Sequence, residues 1–321
     1  MKRTLAFMLA VLMVFALCAC GGGSNSAAPA ASKDYNFTTG GDQGTYYGFG
    51  GVLAQKISEK TDTKVTAITS GGSKANIEAL QAGDAQFGFV QSDVMAYGYA
   101  GERLFEEAVE NYSTVAALYM EQVQIVTLNP EIKTVADLAG KTVSIGAAGS
   151  GVYFNAVDVL GAYGLTEDDI KPTYQSFGDS AEALQDGQID AAFVVAGAPT
   201  TAVTQLTASK DVYLVSLDDE HIDALLASSP YYSKYVIPAA TYNMPEDVTT
   251  VAVGAVVIAR DDVPESDVYN FVSAIFENID SLAHDKAKEL DMDFATSVTS
   301  VPYHPGAAKY FAEKGIEVAT K

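Results

Sequence analysis

The chain has 321 residues, 41 acidic against 19 basic side chains, a formal net charge of -22, 27 glycines and no tryptophan. That length allows two domains of ordinary size, each with a core of its own. A surface this acidic argues against nucleic acid and against docking on anionic lipid through basic patches, although a single pocket can oppose the overall field.

Residues 1–19 read as a secretory leader. Lys2 and Arg3 supply the positive start and residues 5–17 the apolar run. The sequence Leu17-Cys18-Ala19-Cys20 resembles a bacterial lipoprotein signal, with Leu three residues before the modified cysteine and a small residue just before it. Cys20 fits that role better than Cys18, which follows bulky Leu17; an ordinary secretory peptide is the alternative. Cleavage leaves Cys20 as the only cysteine, so no intrachain disulfide is expected. Residues 20–33, rich in Gly, Ser, Ala and Pro, read as a flexible tether. Acyl chains on Cys20 would hold a soluble body at a membrane without spanning it, and no later stretch is apolar enough for a transmembrane helix. The expected location is extracytoplasmic, anchored to a bacterial membrane at the outer face of the cytoplasmic membrane or on the periplasmic side.

A short strand at 35–38 runs into Gly40, Gly41 and Gly44, and a helix follows over 45–60. Glycines there allow a tight turn and close approach of backbone to a ligand. The helix start presents free N–H groups and a positive dipole end to whatever occupies the turn. Similar strand–turn–helix units recur. A strand at 64–69 meets the turn 70–73 and a helix over 73–81 ended by Gly83. A strand at 85–90 meets Gln91-Ser92-Asp93, where Ser92 or Asp93 can cap the next helix. Two strands, 114–119 and 123–128, flank Met120-Glu121-Gln122, which reads as a crossing into a second domain. There, 134–138 is a short amphipathic turn, 142–146 a strand, 147–151 a Gly/Ser turn and 152–163 a helix. Further strands are expected at 189–193, 212–217 and 251–258, the last as the crossing back. Helices are expected at 221–227, 264–279 and 284–290, a surface turn at 230–235, and a closing helix before Gly315.

An internal echo supports two related lobes. Glu78-Ala79-Leu80-Gln81-Ala82-Gly83 recurs as Glu182-Ala183-Leu184-Gln185-Asp186-Gly187, and Phe89 and Phe193 sit at the same offset in the strands that follow. The expected fold class is α/β, with mostly parallel sheets in two lobes joined by a two-strand hinge. Lobe one spans 34–120 and 248–321, and lobe two spans 121–247. Closure of the hinge over a ligand is the natural consequence.

The turns and strand ends, taken together, resemble the TAXI-type substrate receptors of TRAP transporters. The resemblance is carried by Gly40-Gly41-x-x-Gly44-Thr45-Tyr46-Tyr47, Gly72-Ser73-x-x-Asn76, Val90-Gln91-Ser92-Asp93, Gly146-Ala147-x-Gly149-Ser150-Gly151, Asp190-Ala191-x-Phe193, Gly197-x-Pro199-Thr200 and Tyr303-His304-Pro305-Gly306-Ala307. It implies a periplasmic-binding-protein-like class II fold and a monomer that hands a small anionic or zwitterionic solute to TRAP permease membrane subunits driven by an ion gradient; a receptor of the same fold serving an ATP-driven importer or a sensor kinase is the alternative. Glutamate or glutamine is the first expectation for that solute. The departure is Gly48, where many relatives carry Pro.

The ligand shell expected from strand ends and helix starts is Thr45, Tyr46, Tyr47, Ser73, Asn76, Gln91, Ser92 and Tyr119 in lobe one. In lobe two it is Ser150, Gly151, Gly197 and Thr200. Hydroxyls and backbone N–H groups can satisfy a carboxylate without a buried cation, and Asn76 or Gln91 can read an amide or ammonium. Core packing is the competing role for the tyrosines, and local capping for Asn76 and Ser92. Arg103 reads as a surface residue, whereas Lys74 and Arg260 are candidates to reach the cleft. Asp93 can pair an ammonium but is better placed to cap.

No enzyme chemistry is expected. His221, His284 and His304 stand in unrelated contexts without metal-ligand spacing, and His304 reads as fixing a loop. Gly149-Ser150-Gly151 lacks the nucleophile-elbow spacing. No glycine-rich turn has the phosphate-binding or dinucleotide fingerprint, so neither a cofactor nor a metal is expected.

Overall fold

The computed structural model describes residues 34–321; the expected leader, tether and lipidation position Cys20 lie outside the described residues. The strands are β1 Asp34–Thr38, β2 Lys64–Ile68, β3 Phe87–Gln91, β4 Tyr112–Thr127, β5 Thr142–Ser144, β6 Lys171–Thr173, β7 Ala191–Ala196, β8 Tyr213–Leu214, β9 Ser233–Ile237 and β10 Val248–Arg260. The helices are α1 Thr45–Lys60, α2 Ser73–Ala82, α3 Ser92–Ala100, α4 Val152–Ala162, α5 Phe177–Gln185, α6 Thr201–Thr207, α7 Asp219–Ser228, α8 Glu265–Phe276, α9 Met292–Ala295 and α10 Pro305–Glu313.

The strand order is β2-β1-β3-β10-β4-β7-β5-β6, with β8 added to β4 and β9 to β10. At one end β2, β1 and β3 pair in parallel, and at the other β6, β5 and β7 do the same. Between them β4 and β10 run antiparallel and belong to both lobes. β4 lies against β10 from Tyr112 to Gln122 and then against β7 from Gln122 to Thr127. β10 lies against β9 from Val248 to Ala252 and against β3 from Ala255 to Ala259.

The fold is therefore a two-lobed α/β architecture on a two-strand hinge, with one correction. The sheet is mixed, because each hinge strand runs antiparallel to one lobe, β10 against β3 of lobe one and β4 against β7 of lobe two, and the two run antiparallel to each other. The expected break at Met120-Glu121-Gln122 is also absent: 112–127 is one continuous strand, and the polar triplet is its change of lobe. Residues 233–235, expected within the surface turn 230–235, belong instead to β9 on the edge of β10, and 285–289 form a 3-10 turn rather than an α-helix.

Apolar periodicity explains the layers. Each sheet face is apolar and covered by helices, as parallel strands require. In lobe one, α1 and α8 bury Phe49, Leu53, Phe271 and Ile275 against Phe37, Phe87 and Phe89, while α2 and α3 bury Ile77, Leu80, Val94 and Met95 on the opposite face. In lobe two, α4 and α7 cover one face with Val159, Leu160, Ile222 and Leu225, and α5 and α6 cover the other with Leu184, Val203 and Leu206. The echo has a structural counterpart. Gly83 and Gly187 both take positive φ (84° and 67°), a conformation open to glycine at little cost, so each can turn the chain from helix into strand.

Candidate functional site

One cavity lies where the starts of α1, α2, α4 and α5 meet the centre of β4. It is lined by Gly40, Gly41, Gly44, Thr45 and Tyr46, by Ser70 to Ser73 with Gln91 and Glu121, and from the other lobe by Ala147, Ser150 to Val152, Gln175 to Phe177, Val195 and Ala196. It offers about 70 Å³ to the centres of water-sized molecules, room for a small metabolite rather than a nucleotide or a sugar chain.

Six of the residues expected to touch a ligand line this cavity: Thr45, Tyr46, Ser73, Gln91, Ser150 and Gly151. Tyr46 stacks on Phe89 with ring centroids 4.7 Å apart, so its ring is core while its hydroxyl reaches Glu121 Oε2 at 3.2 Å. Ser73 Oγ accepts from the Gln91 backbone N–H at 3.1 Å and holds the end of β3 against α2. Gln91 is 2% exposed and its Oε1 has no hydrogen-bond partner; Ser150 is 7% exposed and its Oγ has none either. Two such buried acceptors are costly to leave unmet. Both atoms lie at the cavity, where a bound solute or an ordered water can supply the partner.

The other six are placed elsewhere. Tyr47 is 38% exposed. Asn76 spends its Nδ2 on the carbonyls of Thr39 (2.7 Å) and Phe89 (2.6 Å), bracing the end of β1 to β3. Ser92 Oγ accepts from Gly254 N at 3.0 Å and faces a separate cavity. Tyr119 is core, beside Phe49 and Phe89, with the Lys286 ammonium 5.6 Å from its ring centre. Gly197 accepts the Thr45 hydroxyl on its carbonyl at 2.7 Å, and Thr200 accepts from Gln124 Nε2 at 3.0 Å. These last two positions serve lobe-to-lobe contact and lobe packing.

No Lys, Arg or His is among the lining residues. Lys74 pairs with Glu78 on its own helix, and Arg260 grips Asp262 with Nε and Nη2, both at 2.6 Å. Arg103 is an exposed turn residue, as expected; its side chain pairs with Asp158 at 2.8 Å and lies over Tyr97 and Phe154. His304 caps α10, its Nδ1 accepting from Gly306 N at 3.2 Å.

The lobes touch around the cavity through glycine-rich turns. The Ala75 N–H in the first turn of α2 donates to Gly149 O at 3.0 Å, and the Ala202 N–H at the start of α6 donates to Gln43 O at 3.2 Å. Two helix starts read as ligand sites are thus partly satisfied by the opposite lobe. A Cβ on Gly71 would fall 2.8 Å from Ala148 O, and one on Gly151 would fall 1.8 Å from Gln91 Oε1. Beside the cavity a second cross-lobe cluster forms. Asn155 Nδ2 donates to Asp93 Oδ2 (2.9 Å) and to Tyr232 O–H (2.9 Å), and Tyr232 donates to Asp158, the partner of Arg103. Burial pushes the Asp93 carboxyl up to about 7.

Sequence reading missed Glu121, Ser70, Gln175, Ser176 and Phe177. Glu121 is the most consequential. It is 2% exposed, and burial pushes its carboxyl up to about 8, while hydrogen bonds from Tyr46 and Gln91 favour its charged form. The signal available was a lone acid in a long apolar run, between two stretches of strand character.

Residues 37–315 match the sequence profile of the NMT1-like family. Among solved structures, the chain resembles PhnD1 from Prochlorococcus marinus in complex with methylphosphonate, with TM-score 0.53, 12% identity, and coverage of 80% of this chain and 88% of that one. It also resembles an ancestral arginine-binding protein bound to arginine, with TM-score 0.51, 17% identity, and coverage of 80% and 97%. A third is a putative L-cystine ABC transporter from Listeria monocytogenes, with TM-score 0.50, 17% identity, and coverage of 83% and 99%. At these identities the likeness speaks for the fold, which is periplasmic-binding-protein-like.

Proposed function

The chain belongs to the NMT1-like family, and from that premise we propose that it is an extracytoplasmic receptor that closes two lobes over a small carboxylate or amino acid and presents it to a membrane transporter. Glutamate or glutamine is the first guess. The observation that carries the reading is one cation-free cavity between the lobes, ringed by helix starts and holding the unpartnered Gln91 Oε1 and Ser150 Oγ. The hinge divides the chain at 120–121 and 247–248, so 34–120 with 248–321 moves against 121–247. The six cavity-lining residues expected from sequence are the contacts we assign to the solute.

For the transport partner, the neighbours of this fold favour an ATP-driven importer, since the Listeria protein carries that name. Delivery to an ion-gradient-driven TRAP permease is the second reading, and it rests on the ordered set of motifs from Gly40 to Ala307. Solute uptake by cells carrying the transporter distinguishes them: collapse of uptake on ATP depletion with the ion gradient held selects the first, and collapse with an ionophore at constant ATP selects the second.

The receptor reading is tested by mass spectrometry of solute carried through native purification, followed by calorimetry with that solute. Ser150→Ala should weaken binding roughly tenfold or more, the loss of one hydrogen bond to a charged group. Unchanged affinity removes Ser150 from the site. The anchor is a separate proposal. Cys20→Ser should move the protein from the membrane fraction to the soluble fraction and abolish labelling by a radioactive fatty acid; retention at the membrane contradicts lipidation at Cys20.

A further inference from the structure

Glu121 sits at the point where β4 passes from one lobe to the other, with its side chain on the cavity wall. An ionised carboxylate buried there needs a cation, because water is excluded and its self-energy is high. None of the lining residues supplies one. Lys286 is the nearest candidate in the surrounding shell, but its ammonium is committed to Glu289 at 2.5 Å. The titratable groups around Glu121 are Tyr46, Tyr119, Asp93 and Lys286. Two of these are tyrosines kept neutral, one is an acid, and the only cation is already paired. The cavity therefore carries two acceptors, Glu121 and Gln91 Oε1. Next to them it carries the Ser150 hydroxyl, whose neighbour Gly151 packs against Gln91 Oε1, and the helix starts of α1 and α4, which favour negative charge.

We propose that Glu121 receives the protonated amine of the captured solute, with Gln91 Oε1 as second acceptor and the Ser150 hydroxyl serving the carboxylate, so that the site selects zwitterionic α-amino acids over amine-free mono- and dicarboxylates. This rests on the receptor reading above and narrows its cargo. An ammonium has three donors and needs acceptors, which this wall provides. Binding brings a cation to Glu121, which releases its proton to solvent and becomes ionised.

The test is calorimetry and thermal shift on the full chain with matched probes: L-alanine against propionate, and L-glutamate and L-glutamine against glutarate. At least one amino acid should bind, with its amine-free counterpart about 100-fold weaker. Titration at pH 7 in phosphate and in Tris should show net proton release with the amino acid. Glu121→Gln should abolish that release and weaken amino-acid binding about 30-fold. Proton release is read on the unaltered protein, so a misfolded variant does not obscure the answer. Binding of propionate or glutarate within about threefold of the amino acid, or binding with no proton release, overturns the inference while leaving the receptor reading intact. Failure of every probe, amine-bearing and amine-free alike, counts against both.

Discussion

Gly71→Ala should leave the protein folded and weaken solute capture by about ten- to a hundredfold. Gly71 has no positive φ, so alanine introduces no backbone strain within its own lobe. What it introduces is a Cβ 2.8 Å from the backbone carbonyl of Ala148, across the interface between lobes. A carbonyl in a tight turn cannot rotate aside as the end of a long side chain can. The lobes must stop short by several tenths of an ångström, and overpacking of this kind costs about 1–3 kcal/mol. The cost falls on the closed state alone, so it appears as lost affinity with unchanged thermal stability of the solute-free protein. Calorimetry and a melting curve, measured on one preparation, check both halves. Equal affinity would mean that this turn-to-turn contact is not part of the capturing state. Loss of stability without solute would mean that the contact holds the resting fold together.

The second large effect is a fall in stability as pH rises from 6.5 to 8 in the absence of solute. The carboxyls of Asp93 and Glu121 are raised by burial to about 7 and about 8. In that window the folded chain keeps protons that the unfolded chain, with ordinary carboxyls, has already lost. Unfolding therefore releases protons, and stability declines with pH. One group fully protonated when folded and fully ionised when unfolded contributes about 1.4 kcal/mol per pH unit. Glu121 acts over most of the window and Asp93 over its lower half. His284 and His304, whose pKa values are lowered by burial, act in the opposite sense; an unfolded imidazole is half-protonated near about 6.5, so they blunt the decline at the lower edge of the window and fade as pH rises through it. Denaturant titrations at pH 6.5, 7.25 and 8 should show the decline, and Glu121→Gln should remove most of it. A flat profile in the unaltered protein contradicts the buried, proton-bearing state of these acids.

Much of the scaffold could be read from residues because local chemistry and global packing agree there. The run from Thr45 to Lys60 is helical in pattern and in structure, and Gly83 ends α2 as glycine after a helix should. The repeated Glu-Ala-Leu-Gln segment reports two strands in equivalent places, β3 and β7, each next to a hinge strand. The two hinge crossings are where the sequence places them, but the continuity of β4 through Met120-Glu121-Gln122 is not legible. A polar triplet inside an apolar run looks like a loop, because a buried strand normally excludes Glu and Gln. Here the triplet stays in the strand because Tyr46 donates to Glu121 and Gln122 Oε1 accepts from Ala198 N at 2.8 Å. Those partners come from both lobes and are invisible at short range along the chain.

The candidate site was legible only in part for the same reason. Ser73, Gln91 and Ser150 could be placed from their turns alone. Asn76 lies on the same helix as Ser73, yet its amide is absorbed by carbonyls of β3 and the residue after β1, a long-range demand with no sequence signature. Gly197 is expected at the ligand, but in the structure its carbonyl takes the Thr45 hydroxyl of the other lobe. Glycine turns that admit a ligand's backbone contact and glycine turns that admit the opposite lobe look alike in sequence, since both require only a missing Cβ.

A crystal structure of the chain grown with the amino acid that gives the largest thermal shift tests the central claim most directly. The account predicts one solute molecule in the cavity between the lobes, its amine within hydrogen-bond distance of Glu121 and its carboxylate at Ser150. Density for the solute elsewhere on the surface, or a cavity filled by the chain's own side chains at saturating solute, would contradict it.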